Sequence, residues 1–540
     1  MKKIIPAYIL SFVISFTFFI YEPVILYASN KTDLWFDFMT MLKPMLTLFF
    51  TSFIILSLIY TLINKLFKNN KIYNVILVIS FIIYFASYIQ GNYLLKSLPG
   101  LDGTTIVWNG FLIQNIITII IWLIISVIYI ITTKKYTFEK VLNVSSKVVL
   151  VVFAMLFVSC ISTILTTRKM FMKKYPILIT DINYTNFSDD KNFIVFLLDA
   201  VDSKKFDEQL STSKYKDSFK DFTYYPDTLS YYMYTRDSIP LILTGKPNHN
   251  KEEFYTYYNK AFDESKLIDE LINKDYDINL YEYELIWTSE KSKVVKNIEK
   301  IPNKINTKHF VKSNLQYVGY KYLPYFLKKY VHIETMNFNL DKSSDEHNNA
   351  YQWDNIKNYH MILNANVTKD PKKQFKFIHT NGSHVPYNMD EELNRVDEKN
   401  SSYEKEINAS IKLVDSYINM LKENGVYDNS VIVIMADHGY AKKKIIGRQN
   451  PILYIKGVNE HHDLMPVSDK RVSHIDLADA FVELLNDVKT EQLFPNIPID
   501  RKRKLIWYRF TKENKMTEYQ TNGHAWENHK LKKTGRKYNR

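Results

Sequence analysis

The chain has 540 residues, 46% of them hydrophobic and 24% charged, with a formal net charge of +13 and a single cysteine. That length exceeds one ordinary domain, and one cysteine excludes an internal disulfide framework. The basic excess is interleaved with acidic residues and accompanies no nucleic-acid motif, so the expected partner is an anionic membrane surface or envelope polymer and not nucleic acid.

A hydrocarbon core about 30 Å thick needs about 20 apolar residues per helical span. Five stretches meet that length, near 4–28, 39–64, 73–95, 105–132 and 147–166. The first has a long apolar run without a small-residue cleavage site, so it reads as a retained helix and not a signal peptide. Lysine and arginine cluster in "MKK", "NKLFKNNK" and "TTKKYTFEK", which places those loops in the cytoplasm and the C-terminal region outside. "TTRKMFMKK" after the fifth span runs against that bias, as large translocated domains tolerate. Cys160 lies inside the fifth span. The expected organisation is a transmembrane domain over 1–166, a polar connector over 167–190 and an extracytoplasmic domain over 191–540.

In the C-terminal region strands and helices alternate. "NFIVFLLDAVD" is a continuous apolar strand ending at Asp199. "SKLIDELINKDYDINLYEYE" reads as a helix over 265–273 and a strand over 277–284. The polar stretch 337–355 reads as a surface insertion. "KQFKFIHTNGSHVPY" is a strand over 374–379 breaking into a loop with two histidines, His379 and His384. "YEKEINASIKLVDSYINMLKENG" carries Ile407, Ile411, Val414, Ile418 and Leu421 at helical spacing and stops at Gly425. "SVIVIMADHG" and "NPILYIKG" are strands, and "SHIDLADAFVELLND" is a helix capped by Ser473 or Asp476. Continuous apolar strands imply burial on both faces, so the fold class is a five-span helical membrane domain followed by an α/β sandwich with a largely parallel sheet.

Ligands in open α/β sheets sit beyond the carboxyl ends of the strands. Asp199, His379 with His384, and Asp437-His438 all fall there, and mixed oxygen and imidazole donors suit one divalent ion such as Zn²⁺ or Mn²⁺. Singly, an Asp at a strand end is a turn or helix cap and a lone His is a polar loop residue; their shared edge is the signal. "YYMYTRDSIPLILTG" places Thr235 before a short apolar run.

Taken in order, "FIVFLLDAVD", "TRDSIP", "HTNGSHVPY", "VIVIMADHG" and "VSHIDLADAFVELL" resemble the alkaline phosphatase/sulfatase superfamily. With five spans in front, the chain is similar to its membrane-anchored bacterial phosphotransferases: lipoteichoic acid synthases, phosphoglycerol transferases and phosphoethanolamine transferases. The resemblance implies Thr235 as nucleophile and Asp199, Asp437, His438 and the Thr235 oxygen as metal ligands. It implies His384, and less directly His379, as phosphate-contacting groups. Asp199 stands where the phosphoethanolamine enzymes carry Glu, and the further histidine those enzymes have after D-H-G is missing. Arg448 or the Lys442–Lys444 run stands there, otherwise a solvated loop. Arg236 is a candidate phosphate clamp, or else a partner of Asp237 or another carboxylate.

The implied reaction moves a phosphoalcohol group, phosphoglycerol or phosphoethanolamine, from a membrane phospholipid to an envelope glycan or glycolipid through a phosphothreonine. The alternatives are a catalytically silent sulfatase-like protein that binds lipid or a partner, or a phosphoester or sulfate-ester hydrolase of the same superfamily. A formylglycine sulfatase needs Cys or Ser in a C/S-x-P-x-R context. No such stretch occurs, and the one cysteine is in a membrane span. The chain is expected to act as a monomer.

Overall fold

A computed structural model of the chain describes residues 4–31, 34–67, 70–94, 106, 108–167, 170–173, 177–248, 254–283, 285–300, 303–338, 349–440, 447–498, 500–508 and 515–539. The chain divides into two compact units, Met1–Pro176 with Ile301–Glu346, and Ile177–Lys300 with His347–Arg540.

Among the described residues, the first unit holds five helices long and apolar enough to cross a membrane: Ile5–Asn30, Phe38–Leu66, Lys71–Tyr93, Trp108–Lys135 and Phe138–Thr166. The fifth starts at Phe138, earlier than the apolar run near 147. Thr137 caps it by accepting the Lys140 N–H, so the helix extends through charged residues that a hydropathy reading leaves out. In the first, residues Thr17–Tyr21 form a π-helical turn. The Phe18 carbonyl in that turn accepts a hydrogen bond from Asn314 Nδ2 at 3.0 Å. Glu22, next along, is fully buried; its carboxylate pairs with Lys321, accepting from Nζ at 2.8 and 2.9 Å, and also accepts from the Tyr322 hydroxyl at 2.5 Å. A buried carboxylate without such a partner would cost several kcal/mol.

This pairing corrects the expected domain division. Residues 301–346 were assigned to the C-terminal domain, yet they group with the helical unit, where Thr307–Tyr322 forms a helix capped by Asn306. What ties that helix in is polar pairing to Phe18 and Glu22 as well as apolar contact, and paired polar residues carry no hydropathy signal.

The second unit is built on a six-stranded sheet. Its strands in chain order are β1 (Asn192–Leu198), β2 (Thr223–Tyr224), β3 (Asp277–Tyr281), β4 (Gln374–Thr380), β5 (Ser430–Met435) and β6 (Leu453–Lys456). They lie in the order β2-β6-β5-β1-β4-β3. The four strands β5, β1, β4 and β3 run parallel, and β6 and β2 close one edge antiparallel. Phe193 to Leu198 of β1 are all buried, as a central strand covered on both faces requires. Each large apolar side chain so buried contributes about 1.5–3 kcal/mol.

Helices Lys266–Asn273, Tyr403–Glu423 and Leu477–Leu485 cover the sheet, close to their expected limits. Ser473 and Asp476 together form a capping box ahead of the last one. After the sheet comes a feature the sequence reading did not anticipate, an antiparallel three-stranded sheet of β7 (Arg503–Trp507), β8 (Lys515–Thr521) and β9 (Lys532–Asn539).

Candidate metal centre and nucleophile

The parallel register brings three strand ends to one edge. Leu198 of β1 lies opposite Thr380 of β4, and Leu197 lies opposite Met435 of β5. The residues just beyond, Asp199 and Asp437, therefore meet. Ala200 turns the chain at φ 59° and its N–H donates to Asp437 Oδ1 at 3.1 Å. The β4 loop packs on the same turn: Ser383 N–H donates to the Asp199 carbonyl at 2.9 Å. Gly382 has φ 58°, and a Cβ there would sit 2.3 Å from the Asp199 carbonyl oxygen, so the close approach admits only glycine.

Asp199, Asp437 and His438 are buried, and one ligand atom from each lies within 4.8 Å of the others. His438 Nδ1 donates to the Gly439 carbonyl at 2.9 Å. That leaves the Nε2 lone pair facing Asp437 Oδ2 at 3.3 Å and Asp199 Oδ1 at 3.7 Å. Those two carboxylate oxygens have no hydrogen-bond partner. Burial and the neighbouring Asp199 raise the Asp437 carboxyl, and burial holds His438 low, as the neutral ring. Burial would raise Asp199 as well, but His384, His379 and His438 around it keep it below its usual range. Two unpartnered carboxylate oxygens facing a neutral imidazole nitrogen in a buried site suit a divalent cation.

Thr235 opens the helix Thr235–Thr244, entered from an extended Tyr234. Its hydroxyl donates to Asp199 Oδ2 at 3.4 Å. That hydroxyl therefore sits at the N-terminal, positive end of the helix dipole, a setting that favours an alkoxide and phosphoryl oxygens. Thr235 and the three ligands predicted from the sequence are thus brought together.

The remaining candidates sit around this group. His379 is fully buried, with Nδ1 donating to Glu282 Oε2 at 2.6 Å and Nε2 3.4 Å from Asp199 Oδ2. Burial opposes its charge, yet Glu282 and Asp199 outweigh burial and hold His379 well above its usual value. Trp353 Nε1 approaches Nε2 at 3.1 Å. Carboxylates on both sides of the ring favour a proton on that nitrogen, so we read Trp353 as packing on His379 and not as donating to it. His384 is half-buried and its Nδ1 donates to the Val385 carbonyl at 2.6 Å, which leaves Nε2 available. Arg236 lies over the Phe254 ring at 4.2 Å and lines a small cavity with Thr235, Tyr258 and Glu282.

The sequence reading missed several of these groups. Glu282 follows β3 and so obeys the same strand-end rule as the ligands; that signal was available. Trp353 and Tyr351 fall within the stretch read as a surface insertion, and Tyr351 donates to the His379 carbonyl at 2.6 Å. This corrects the insertion reading for 349–355, while 339–348 lie outside the described residues. His474 lies between the two capping candidates Ser473 and Asp476 and carries no role in the sequence reading. It is fully buried, its ring nitrogens have no partner, and burial and His438 pull its pKa down to about 3. Arg448, one of the groups weighed for positive charge near the site, stacks over Tyr234 at 5.5 Å and depresses His438. The Lys442–Lys444 run lies outside the described residues.

Among solved structures, the chain is similar to an alkaline phosphatase superfamily protein from Vibrio parahaemolyticus at 12% identity, covering 66% of this chain and 81% of that one with a TM-score of 0.36. It is also similar to a 2-O GAG sulfatase at 10% identity, with 62% and 83% covered and a TM-score of 0.37. A third likeness is to a protein solved with its substrate D-glucosamine-2-N,6-O-disulfate, at 10% identity, with 65% and 91% covered and a TM-score of 0.39. A search of curated proteins found no match. The Sulfatase family model matches residues 191–488, more than half of the chain. On that match the protein belongs to the Sulfatase family.

Proposed function

We propose that the protein transfers a phosphoalcohol group, phosphoglycerol or phosphoethanolamine, from a membrane phospholipid to an envelope glycan or glycolipid outside the cytoplasm. The observation that carries this reading is the convergence of the Thr235 hydroxyl on the buried Asp199–Asp437–His438 group, in which Asp199 Oδ1 and Asp437 Oδ2 lack a hydrogen-bond partner. These three residues, with the Thr235 oxygen, would hold a divalent ion. Such an ion lowers the pKa of a hydroxyl and stabilises charge on a phosphoryl oxygen.

Thr235 enters as the alkoxide, its proton having passed to solvent, and its Oγ attacks the phosphorus of the donor phosphodiester. A P–Oγ bond forms and the bond from phosphorus to the diacylglycerol oxygen breaks. His384, half-buried with Nε2 available, supplies the proton that the departing oxygen needs. In the second half the acceptor hydroxyl gives up its proton to His384 and attacks phosphorus, and the Thr235 oxygen leaves. His379, charged between Glu282 and Asp199, orients the Asp199 carboxylate throughout. The helix N-terminus at Thr235 stabilises the phosphoryl oxygens in both steps.

Formylglycine chemistry is not available to this chain, since Cys160 lies in the helix Phe138–Thr166 and a threonine stands at the strand-edge helix. Incubating the full chain with fluorescent phosphatidylglycerol and, separately, phosphatidylethanolamine tests the reading. It predicts release of diacylglycerol from one of them, with the head group passed to a hydroxyl acceptor. Release of the head group to water alone would mark a hydrolase, and turnover of neither lipid would overturn the assignment.

A further inference from the structure

The matched family region ends at residue 488, and the three-stranded sheet β7–β9 lies wholly beyond it. Its last strand, β9, is an edge, paired only with β8. Lys532, Lys533, Arg536 and Lys537 follow one another along it, and all four are exposed. The acidic residues nearby are already engaged: Glu518 is buried against Lys504 and Tyr538, and Glu527 pairs with Lys530. Among the described residues, Lys532, Lys533 and Lys537 form no ion pair with a carboxylate. The strand therefore carries a cationic ridge about 17 Å long over 532–537, with an open row of backbone groups beside it.

This ridge is joined to the nucleophile. Tyr538 of β9 packs with Tyr231, Tyr232 and with Leu241 of the Thr235–Thr244 helix in one apolar cluster. On β7, Ile506 N–H donates to the Tyr231 carbonyl at 2.7 Å. Just past β7, Tyr508 donates to the Asp237 carboxylate, and its carbonyl accepts from Tyr234 Oη at 3.1 Å.

We propose that β9 is a binding edge for a linear polyanion, a chain carrying repeated phosphate charges. The ridge is bent: the register to β8 shifts between Thr517 and Tyr519, with Gly535 at φ 84° in the β9 strand opposite. A bulge of this kind kinks and twists an edge. A flat bilayer meets only part of a twisted ridge, whereas a flexible chain follows all of it. Laid along β9, such a polymer is held against the same cluster that braces Thr235. Its further role as the acceptor rests on the transfer reading above; its binding does not.

The test uses the full chain carrying Thr235→Ala, so that no turnover intervenes, in discs of phosphatidylcholine, with labelled inorganic polyphosphate as probe. Replacing Lys532, Lys533, Arg536 and Lys537 by Gln should weaken binding at least tenfold. By analogy with single-stranded polyanions, it should also lower the log–log salt slope by about 2 to 3. Replacing exposed Lys204, Lys214, Lys216 and Lys489 by Gln, an equal loss of charge, should change neither. A Lys→Arg variant at 532, 533 and 537 should bind as the parent does, which separates lost charge from lost folding. Equal binding by the parent and the Gln variant would overturn the proposal. So would absence of polyphosphate binding together with protection of the β9 strand from protease only in phosphatidylglycerol discs, since that outcome assigns the edge to a bilayer.

Discussion

Asp437 and Asp199 are adjacent, buried and only partly satisfied, so at neutral pH the pair repels itself unless a cation stands between them. Removing one charge therefore does more than remove one ligand. Asp437→Asn should reduce bound metal from about one ion per chain to near none, measured by elemental analysis of the purified protein. Turnover should fall at least a hundredfold with it. Thr235→Ala should abolish head-group transfer yet leave metal content within about twofold, because it removes the attacking oxygen and one of four ligands while both carboxylates and the imidazole stay. Glu282→Gln separates a positioning role from a ligand role. It weakens the hold on His379 without touching the metal group, so kcat should fall about 10- to 100-fold with KM nearly unchanged. A change in KM alone would assign Glu282 to substrate binding.

Much of this site was readable from residue type and place. Polar residues at the ends of apolar runs were enough to single out Asp199, Asp437 and His438, whereas the choice of Thr235 and the ligand roles came from the family resemblance. The supporting shell was not readable in the same way. Trp353 and Tyr351 reach His379 from a stretch whose composition says only "polar surface", and His474 hides inside an amphipathic helix entry. Their roles come from three-dimensional proximity, which strand ends reveal and loop sequences do not.

At the level of elements, the loop between β4 and the His384 turn is set by Gly382. An alanine there would overlap the Asp199 backbone and occupy a left-handed conformation. Gly382→Ala should cost about 2 to 4 kcal/mol, or displace Asp199 and lower metal affinity. Thermal unfolding with and without added Zn²⁺ distinguishes the two. Strands β1, β4, β5 and β6 and their covering helices were legible because burial on both faces demands uninterrupted Val, Ile, Leu and Phe. β2 is two residues long, and β7–β9 are rich in charge because one edge faces solvent, so neither gives a run of that kind. The insert 301–346 was misassigned for a related reason: its link to Glu22 and the Phe18 carbonyl is made by Lys321 and Asn314, and no hydropathy window scores such pairs.

For the molecule as a whole, the buried ionisable groups set a pH dependence. Glu406 lies under the loop after His384, with Oε1 accepting the Asn388 N–H and Oε2 unpaired. Burial raises its pKa from 4.5 to about 8, with Asp354 adding to the rise. The folded state therefore binds a proton that the unfolded chain releases. That contribution is fully present below pH 4.5 and is lost as the pH rises through about 8. Glu406→Gln should accordingly gain in Tm relative to the parent as the pH goes from 4.5 to 8, measured by calorimetry of the full chain. A constant difference across that range would contradict the assignment. Metal binding adds a second global effect: at a free ion concentration 100 times Kd it stabilises the fold by about 2.7 kcal/mol, so a chelator should lower Tm.

The most direct measurement is peptide mass spectrometry of the full chain, quenched in acid during turnover of phosphatidylglycerol or phosphatidylethanolamine. A head-group phosphate attached to Thr235 in the parent, and absent from both Thr235→Ala and Asp437→Asn, is the predicted result. Continued turnover with the adduct on another residue, or with none at all, would contradict the proposal that Thr235 and the Asp199–Asp437–His438 group form one catalytic centre.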